Sequence, residues 1–339
     1  MTKKESFIKA ITFGKCFPVP YVIRFTVEAE ERYRSFLGGT FDEILDTGSY
    51  VVFSQTNSGW TEVRPGYFKD YFGITWNKTK DRTLGIVDRY PIDKPSLKGF
   101  QFPSTDDLPV FKYIERNKSD FPDHFHFLSI GFTLFERAWS IVGMENLMLW
   151  MLMEPEFIHD LLDNIVEYNT KLIQESAKIG GLDGVRFGDD WAGQNGLLIG
   201  GDLWREFIKP RLKRMCDVAK AENLYIGQHC CGKVESLIPD MIDVGIDVFD
   251  PFQPEVMDIY DVFKNYHGKI SFLGGLSIQK TLPYGSRKEV SDASYKLLNE
   301  LGAPGGYIFS PSHALTSDIP PENIREVINI ASNQSRDFQ

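Results

Sequence analysis

The residues whose types and spacing indicate chemistry most clearly are His229, Cys230 and Cys231. A short apolar run precedes them and an amphipathic helix pattern follows, which predicts that they lie at the end of a strand. Side chains two apart on a strand share a face, so His229 and Cys231 point one way and Cys230 the other, unless a bulge reverses the alternation. Imidazole nitrogen and thiolate sulfur are both zinc ligands. The spacing therefore predicts a metal site, and cysteines that only fill an apolar core are the alternative.

Polar or conformationally special residues recur at the ends of five consecutive strand-like segments. They are Asp189 and Asp190, His229 and Cys231, Asp250 with Gln253 and Glu255, Gly274 and Gly275, and Ser312 with His313. Adjacent acids at such a position bind metals, transfer protons or contact polar substrate groups. Helix capping and loop solvation explain either acid alone equally well, and a structural histidine explains His313. The recurrence predicts that the strand ends form one functional site.

Alternating strand-like and helix-like segments position these residues. Strand patterns occupy 125–132, 185–187, 224–229, 246–249, 269–273 and 306–310. Earlier candidates lie at 22–26 and 50–54, and a further strand is expected from the less readable region between. Helix patterns occupy 134–153, 155–180, 202–221, 234–242, 258–265, 286–301 and the region from 321. Such units in series form a parallel sheet with right-handed crossovers, and eight of them close a (β/α)8 TIM barrel.

The chain is predicted to be one barrel domain over 1–339. The region 57–120 is richer in glycine, proline and charge, and we interpret it as a long insertion over one end of the barrel. A doubly wound open α/β sheet is the alternative fold. No Gly-x-Gly-x-x-Gly turn follows the first strand pattern, which weighs against that alternative.

Composition excludes several classes of protein. The net charge of -10 disfavours nucleic acid or an anionic membrane as the main partner. No apolar run reaches the ~18 residues of a membrane-spanning helix. Four cysteines in 339 residues do not make a disulfide scaffold, so a reducing, cytoplasmic location is expected.

A set of motifs between Phe135 and Asn323 resembles the uroporphyrinogen decarboxylase-like superfamily, in particular its corrinoid-linked methyltransferase branch. The motifs are Phe135-Glu136-Arg137-Ala138-Trp139, Gly143-Met144-Glu145-Asn146, Gly188-Asp189-Asp190, Gly193-Gln194, His229-Cys230-Cys231-Gly232, Asp250-Pro251-Phe252-Gln253-Pro254-Glu255, Gly274-Gly275, Pro311-Ser312-His313 and Pro320-Pro321-Glu322-Asn323. The opening, Val19-Pro20-Tyr21 and Thr26-Val27-Glu28-Ala29-Glu30, is similar to the branch that demethylates methyl ethers.

The resemblance implies a single eight-stranded barrel and a zinc ion. Zinc in these methyltransferases is bound by a His-x-Cys pair, which His229 and Cys231 match, and by a third ligand after the last strand. The matching position is His313, where the thiol-methylating members carry a cysteine in a Pro-Gly-Cys context. The decarboxylases carry a histidine there that faces substrate, so both roles stay open for His313.

The implied reaction moves a methyl group from a methyl ether, expected to be a methoxyaromatic, to the cobalt of a corrinoid. The chain is short for a barrel plus a corrinoid domain, so the corrinoid is expected on a separate protein that docks at the barrel mouth. Asp189 and Asp190 are the candidate acids for the leaving oxygen. The candidates for substrate contacts are Arg24, Trp191, Gln194, Gln253 and Glu255.

Three other functions compete with this interpretation. A methylcorrinoid:thiol methyltransferase would use the same zinc to activate an acceptor thiol. A metal-free decarboxylase acting on an acidic tetrapyrrole is disfavoured, because Arg24 stands nearly alone where that branch has an arginine-rich motif. A non-catalytic scaffold is disfavoured by the clustering of acids around His-x-Cys.

Overall fold

A computed structural model of the chain describes residues 1–37, 49–83 and 85–334. The strands are β1 (Val51–Gln55), β2 (Thr61–Arg64), β3 (Tyr67–Lys69), β4 (Thr75–Asn77), β5 (Ile86–Arg89), β6 (Phe125–Ile130), β7 (Gly184–Gly188), β8 (Ala192–Gly193), β9 (Gly196–Leu197), β10 (Tyr225–His229), β11 (Val248–Phe252), β12 (Ser271–Leu276) and β13 (Tyr307–Pro311). The α-helices are α1 (Lys3–Ile11), α2 (Val27–Leu37), α3 (Pro109–Asp120), α4 (Phe135–Val142), α5 (Met144–Met153), α6 (Pro155–Ile179), α7 (Gly200–Leu203), α8 (Lys209–Ala221), α9 (Ile238–Val244), α10 (Ile259–Tyr266), α11 (Thr281–Tyr284), α12 (Arg287–Leu297) and α13 (Pro321–Ser332). No helix among these described residues combines the length and apolar composition that a membrane crossing requires.

Residue contacts divide the chain into two compact units. The first unit contains Met1–Val52, Phe121–Phe125 and Asp247–Gln339, and the second contains Phe53–Asp120 and His126–Ile246. In both, parallel strands alternate with helices along the chain, as the sequence predicts.

In the first unit, β11, β12 and β13 pair in parallel in chain order. All three are buried along their whole length, as expected for parallel strands covered by helices on both faces. The predicted strand at 22–26 appears as two parallel bridges, which join Tyr21 to Phe309 and Phe25 to Leu315. Ser286 and Glu289 form the capping box predicted for α12.

In the second unit, β7 lies between β6 and β10, and all three strands are parallel. Phe187 pairs with Ile130 on one side, and Gly188 pairs with His229 on the other. The three strands therefore end at the same edge, and the residues that follow them are neighbours.

The insertion at 57–120 also has its own structure, which periodicity does not reveal. Its strands β2, β3, β4 and β5 form an antiparallel meander, and α3 follows. No further parallel strand is found in its described residues. The further strand expected between the two early candidates stays a prediction, because residues 38–48 lie outside the described part of the chain. The early candidate at 50–54 is confirmed as β1.

A buried carboxylate, Asp70, joins the insertion to α4. It accepts hydrogen bonds from the backbone N–H groups of Phe72 (2.9 Å) and Ile74 (3.0 Å) and from Trp76 Nε1 (3.1 Å). It also forms an ion pair with Arg137 Nη1 at 2.7 Å, in which the side chains are 8% and 2% exposed. The pair is desolvated and both its charges are satisfied, so removing one partner leaves the other buried and unpaired.

Some predicted boundaries differ from the structure. The single helix predicted at 134–153 is two helices, α4 and α5, because Gly143 takes a positive φ of 88° between them. The helix predicted from Asp202 contains a π-helical turn at Trp204–Ile208. The strand predicted to end before Gly274 runs through both glycines as β12, with φ angles of 135° and 98°.

We expect Arg137→Ala to lower the free energy of unfolding by about 3–5 kcal/mol, because it leaves the Asp70 carboxylate buried without its counter-charge. Arg116→Ala is the matched control, since Arg116 pairs with Asp120 on the surface at 3.1 Å. An exposed pair contributes only ~0–1 kcal/mol. Urea unfolding of both variants measures the difference, and equal losses would contradict a stabilising role for the Asp70 cluster.

Candidate metal centre and acid cluster

His229 and Cys231 lie side by side at the carboxyl end of β10. His229 is the last residue of β10 that pairs with β7, and the backbone then turns at Gly232. Gly232 has a φ of +92°, and a Cβ there would lie 2.5 Å from the carbonyl oxygen of Ala192. Only glycine fits this turn. Gly232 therefore sets the direction in which the chain leaves the strand end that carries His229 and Cys231.

The two ligand atoms have the separation that zinc requires. His229 Nε2 and Cys231 Sγ are 3.5 Å apart. Zinc bonds of ~2.0–2.1 Å to nitrogen and ~2.3 Å to sulfur, at the tetrahedral angle, place these atoms ~3.6 Å apart. The His229 side chain is 13% exposed, so it is largely desolvated yet reachable. The chemistry and spacing of this donor pair fit zinc.

Cys230 has a different environment. It is completely buried, and its Sγ accepts a hydrogen bond from the backbone N–H of Trp191 at 3.2 Å. Burial, reinforced by the charge of Asp190, raises the pKa of the Cys230 thiol well above its usual value. A thiol that resists ionisation is a poor metal ligand. The alternation left open in the sequence is therefore resolved in favour of Cys231 facing His229.

Asp190 lies next to the pair. Its Oδ1 accepts a hydrogen bond from the backbone N–H of Cys231 at 2.7 Å and is 4.0 Å from His229 Nε2. Its side chain is 35% exposed, so this carboxylate is open to a small molecule. The turn after β7 thus brings an acid to the predicted metal ligands.

Asp189 is buried, and both of its carboxylate oxygens are occupied by donors. Oδ1 accepts from the backbone N–H groups of Leu134 (3.2 Å) and Glu136 (2.7 Å), and Oδ2 accepts from that of Phe135 (3.0 Å) and from Trp191 Nε1 (2.6 Å). These are unpaired amides at the start of α4, which a carboxylate satisfies well. Burial raises the pKa of Asp189 to about 6, although these hydrogen bonds lower it. The position favours a positioning role.

Glu136 is a candidate acid that sequence reasoning missed. Burial, followed by the negative charges of Asp190 and Asp189, raises the pKa of Glu136 well above its usual value, while the backbone N–H of Asp190 opposes the shift. The carboxyl therefore tends to hold a proton beside Asp190. The only sequence signal was its place in the family motif, because no local pattern relates Glu136 to a residue 54 positions later.

The remaining predicted residues of the second unit differ in exposure. Trp191 is 1% exposed, and its indole packs edge-on against Trp204 with ring centroids 4.9 Å apart. Its N–H is used by Asp189, so its position supports the acid cluster. Gln194 lies between β8 and β9 and is exposed to solvent.

The predicted residues of the first unit follow β11 and β13 or precede α2. Arg24 forms an ion pair with Asp250 at 3.6 Å. Gln253 is 4% exposed. Glu255 accepts hydrogen bonds from the Ser277 hydroxyl and from the backbone N–H of Gln279 at 3.4 Å. His313 is half-buried, two residues after β13. Substrate contact for Arg24, Gln253 and Glu255 and metal binding by His313 stay predictions.

A family model described as uroporphyrinogen decarboxylase (URO-D) matches residues 81–334. The chain belongs to this family. A uroporphyrinogen decarboxylase of Chlorobaculum parvum is 23% identical over 68% of this chain and 66% of that protein. A methylated-thiol–coenzyme M methyltransferase of Methanosarcina mazei is 25% identical over 57% of this chain and 49% of that protein. The chain thus matches less than two thirds of the length of these URO-D family relatives.

A solved structure establishes the fold class of this URO-D family member. It is a methyltransferase from Methanosarcina mazei, which aligns over 98% of both chains with a TM-score of 0.75 at 16% identity. The chain therefore has the (β/α)8 TIM-barrel fold of the family, as the strand and helix patterns predict. At this identity the likeness concerns the fold alone.

Asp189 leads to a prediction about pH and stability. Because its pKa in the folded state is about 6 against an ordinary value of 3.8, the folded protein retains this proton at a pH where the unfolded chain has lost it. As the pH rises from about 4 to about 6, the free energy of unfolding of the wild type is therefore expected to fall, by up to ~3 kcal/mol from this group. Asp189→Asn should have a flatter profile over that range, whatever its absolute stability.

Urea unfolding at several pH values checks this prediction. Asp123→Asn, at an exposed position, is the control and should keep the wild-type slope. A profile of Asp189→Asn parallel to that of the wild type would show that Asp189 does not carry the proton.

Proposed function

We propose that the chain is a zinc-dependent methyltransferase that moves a methyl group from a methyl ether, most suitably a methoxyaromatic compound, to the cobalt of a separate corrinoid protein. The observation that carries the proposal is the 3.5 Å separation of His229 Nε2 and Cys231 Sγ at a strand end. Family membership, the ether-branch resemblance of the opening residues and the adjacent acids support it.

His229 and Cys231 would hold the zinc, and we assign the third ligand to His313 on the family resemblance alone. Three protein ligands leave the open position that a catalytic zinc needs. When bound, the zinc supplies Lewis acidity to the oxygen from which the methyl group departs.

The acid cluster, which consists of Glu136, Asp189 and Asp190, would assist the departure of the leaving oxygen. A phenol has a pKa of ~10, so its anion leaves poorly at neutral pH without help. Asp190 Oδ1 is 4.0 Å from His229 Nε2, and the pKa of the neighbouring Glu136 is raised well above its usual value. We propose that this pair delivers a proton to the leaving oxygen as the C–O bond breaks. Asp189 holds the start of α4, and thereby Glu136, in position.

Substrate and partner would meet where the strands end. Gln194, on its exposed hairpin, is a candidate to orient the methyl donor, and Arg24, Gln253 and Glu255 are further candidates. Trp191 would act through Asp189. The corrinoid protein would dock over the same edge, because the methyl group must reach cobalt directly.

The second candidate function is methyl transfer to or from a thiol. It is favoured by the similarity to the methylated-thiol–coenzyme M methyltransferase, and the same His-Cys pair would serve it. Assays that offer methoxybenzenes or methylated thiols to a reduced corrinoid protein distinguish the two. Decarboxylation of uroporphyrinogen, the activity named for many relatives, is the third arm of that assay and would proceed without zinc.

We expect His229→Ala and Cys231→Ala to lose bound zinc and to slow methyl transfer by roughly 10³-fold, since Lewis-acid help is worth several kcal/mol. Cys230→Ala is the matched control, because its sulfur faces Trp191, and it should keep about one zinc per chain. Elemental analysis of the purified variants measures the metal. Full zinc content and activity in both ligand variants would refute the site.

Glu136→Gln tests the acid. The amide keeps an acceptor for the Asp190 N–H but carries no proton to transfer, so the rate of ether cleavage should fall by ~10²–10⁴-fold. Wild-type activity should decline as pH rises through the raised pKa of Glu136, and the variant should lack this decline.

The zinc content of Glu136→Gln should not fall below that of the wild type. Its free energy of unfolding should be unchanged or higher, because the variant removes a carboxyl whose ionised form is disfavoured by burial. Glu145→Gln, on the exposed first turn of α5, is the control and should behave as wild type. An unaltered pH profile in Glu136→Gln would assign the acid elsewhere.

A further inference from the structure

The antiparallel meander of the insertion carries a cavity that the proposed reaction does not use. Its volume is about 420 Å³, within the ~300–1,000 Å³ typical of small-molecule sites. The lining residues are Asn57, Trp60, Gly66, Phe68, Lys78 and Arg82. None of them belongs to the metal pair or the acid cluster.

The aromatic wall of this cavity packs against the buried core of the insertion. The Trp60 ring stacks on Trp76, with centroids 5.4 Å apart and an interplanar angle of 25°. Trp76 is itself 1% exposed and donates its indole N–H to Asp70. The buried Asp70 cluster therefore orients Trp60 through Trp76. One face of the Trp60 ring is covered by Trp76, and the edge of an aromatic ring is a favourable contact for another ring.

A cation lies over the Trp60 ring. Lys78 Nζ is 4.4 Å from the centroid of the Trp60 ring, and the side chain is half-buried. Burial lowers the pKa of Lys78, and the charge of Asp81 opposes the shift only in part. Within the described residues, the ammonium group of Lys78 forms no hydrogen bond and no salt bridge, although the backbone N–H of Lys78 donates to the carbonyl oxygen of Gly66 at 2.8 Å. An anion in the cavity would give this ammonium the partner it lacks.

The local charge balance supports an anionic ligand. Residues 57–90 contain six basic and four acidic side chains, although the whole chain has a net charge of -10. Arg82 is a second cation on the wall of the cavity. The combination of two aromatic rings with Lys and Arg matches a ligand that is both flat and negatively charged.

We propose that this cavity binds an aromatic carboxylate, with its carboxylate at Lys78 and Arg82 and its ring against Phe68 and the edge of Trp60. The site is separate from His229 and Cys231 and does not depend on the reaction proposed for them. It gives the insertion a binding function of its own.

Calorimetric titration with benzoate tests this proposal, with wild type, Lys78→Met and Lys80→Met compared. Lys78→Met keeps the apolar stem and removes the charge, and we expect it to weaken benzoate binding at least tenfold. Lys80 is exposed, lies two residues further along and does not line the cavity, so Lys80→Met should bind within about twofold of wild type.

Three further probes separate the chemistry of the ligand. Benzamide keeps the ring without the charge, cyclohexanecarboxylate keeps the charge without the aromatic ring, and inorganic phosphate keeps only an anion. We expect each to bind at least tenfold more weakly than benzoate. Equal binding of phosphate, unchanged binding by Lys78→Met, or no benzoate binding at millimolar concentration would overturn the proposal.

The same titration on Cys231→Ala separates this cavity from the metal centre. Benzoate binding should persist in that variant, whether or not zinc and methyl transfer are lost. If benzoate binding disappears with the metal ligand and not with Lys78, the carboxylate binds at the metal centre and the cavity is not its site.

Discussion

The carboxylate of Asp189 connects the segments from which the candidate site is built. Four N–H groups converge on it, three from the start of α4 and one from Trp191. Its own backbone N–H donates to the carbonyl oxygen of His229 at 3.0 Å. One residue thus fixes the beginning of α4, the turn after β7 and the end of β10. An unpaired helix N-terminus that is buried would be costly, and the carboxylate removes that cost.

This arrangement also sets the electrostatics of the site. Because Asp189 and Asp190 are consecutive and Glu136 is held on the first turn of α4, three carboxyls lie close together beside His229. Three adjacent negative charges in a partly desolvated site are unfavourable, which favours protonation of one of them. Four donors stabilise the ionised form of the buried Asp189, whereas burial and the charges of Asp190 and Asp189 raise the pKa of Glu136 well above its usual value. A cation at His229 and Cys231 would favour the ionised acids nearby, so metal binding and proton binding would be linked there.

The insertion also contains a buried carboxylate that hydrogen-bond donors stabilise, but there a cation balances its charge. Asp70 is a second buried carboxylate surrounded by donors, and Arg137 neutralises it directly. That ion pair ties the meander to the helix that carries Glu136, since Arg137 is the next residue. Asp70 also fixes Trp76, and through it Trp60, which forms the wall of the basic cavity. A single polar cluster therefore links the insertion to the acid cluster and to the aromatic cavity.

The sequence by itself determined the features that depend on local periodicity. The two-residue repeat of a strand placed His229 and Cys231 on one face, and a serine and a glutamate three residues apart predicted the start of α12. Strand and helix patterns in alternation predicted the barrel class. Within the described residues, only the tertiary structure decided that α4 and α5 are separate helices and that the insertion is an antiparallel meander. It also decided that Asp189 caps α4 and that burial and neighbouring charges raise the pKa of Glu136. Those outcomes depend on burial and on hydrogen bonds between residues more than 50 positions apart, and no local pattern encodes which distant amide or charge a side chain will meet.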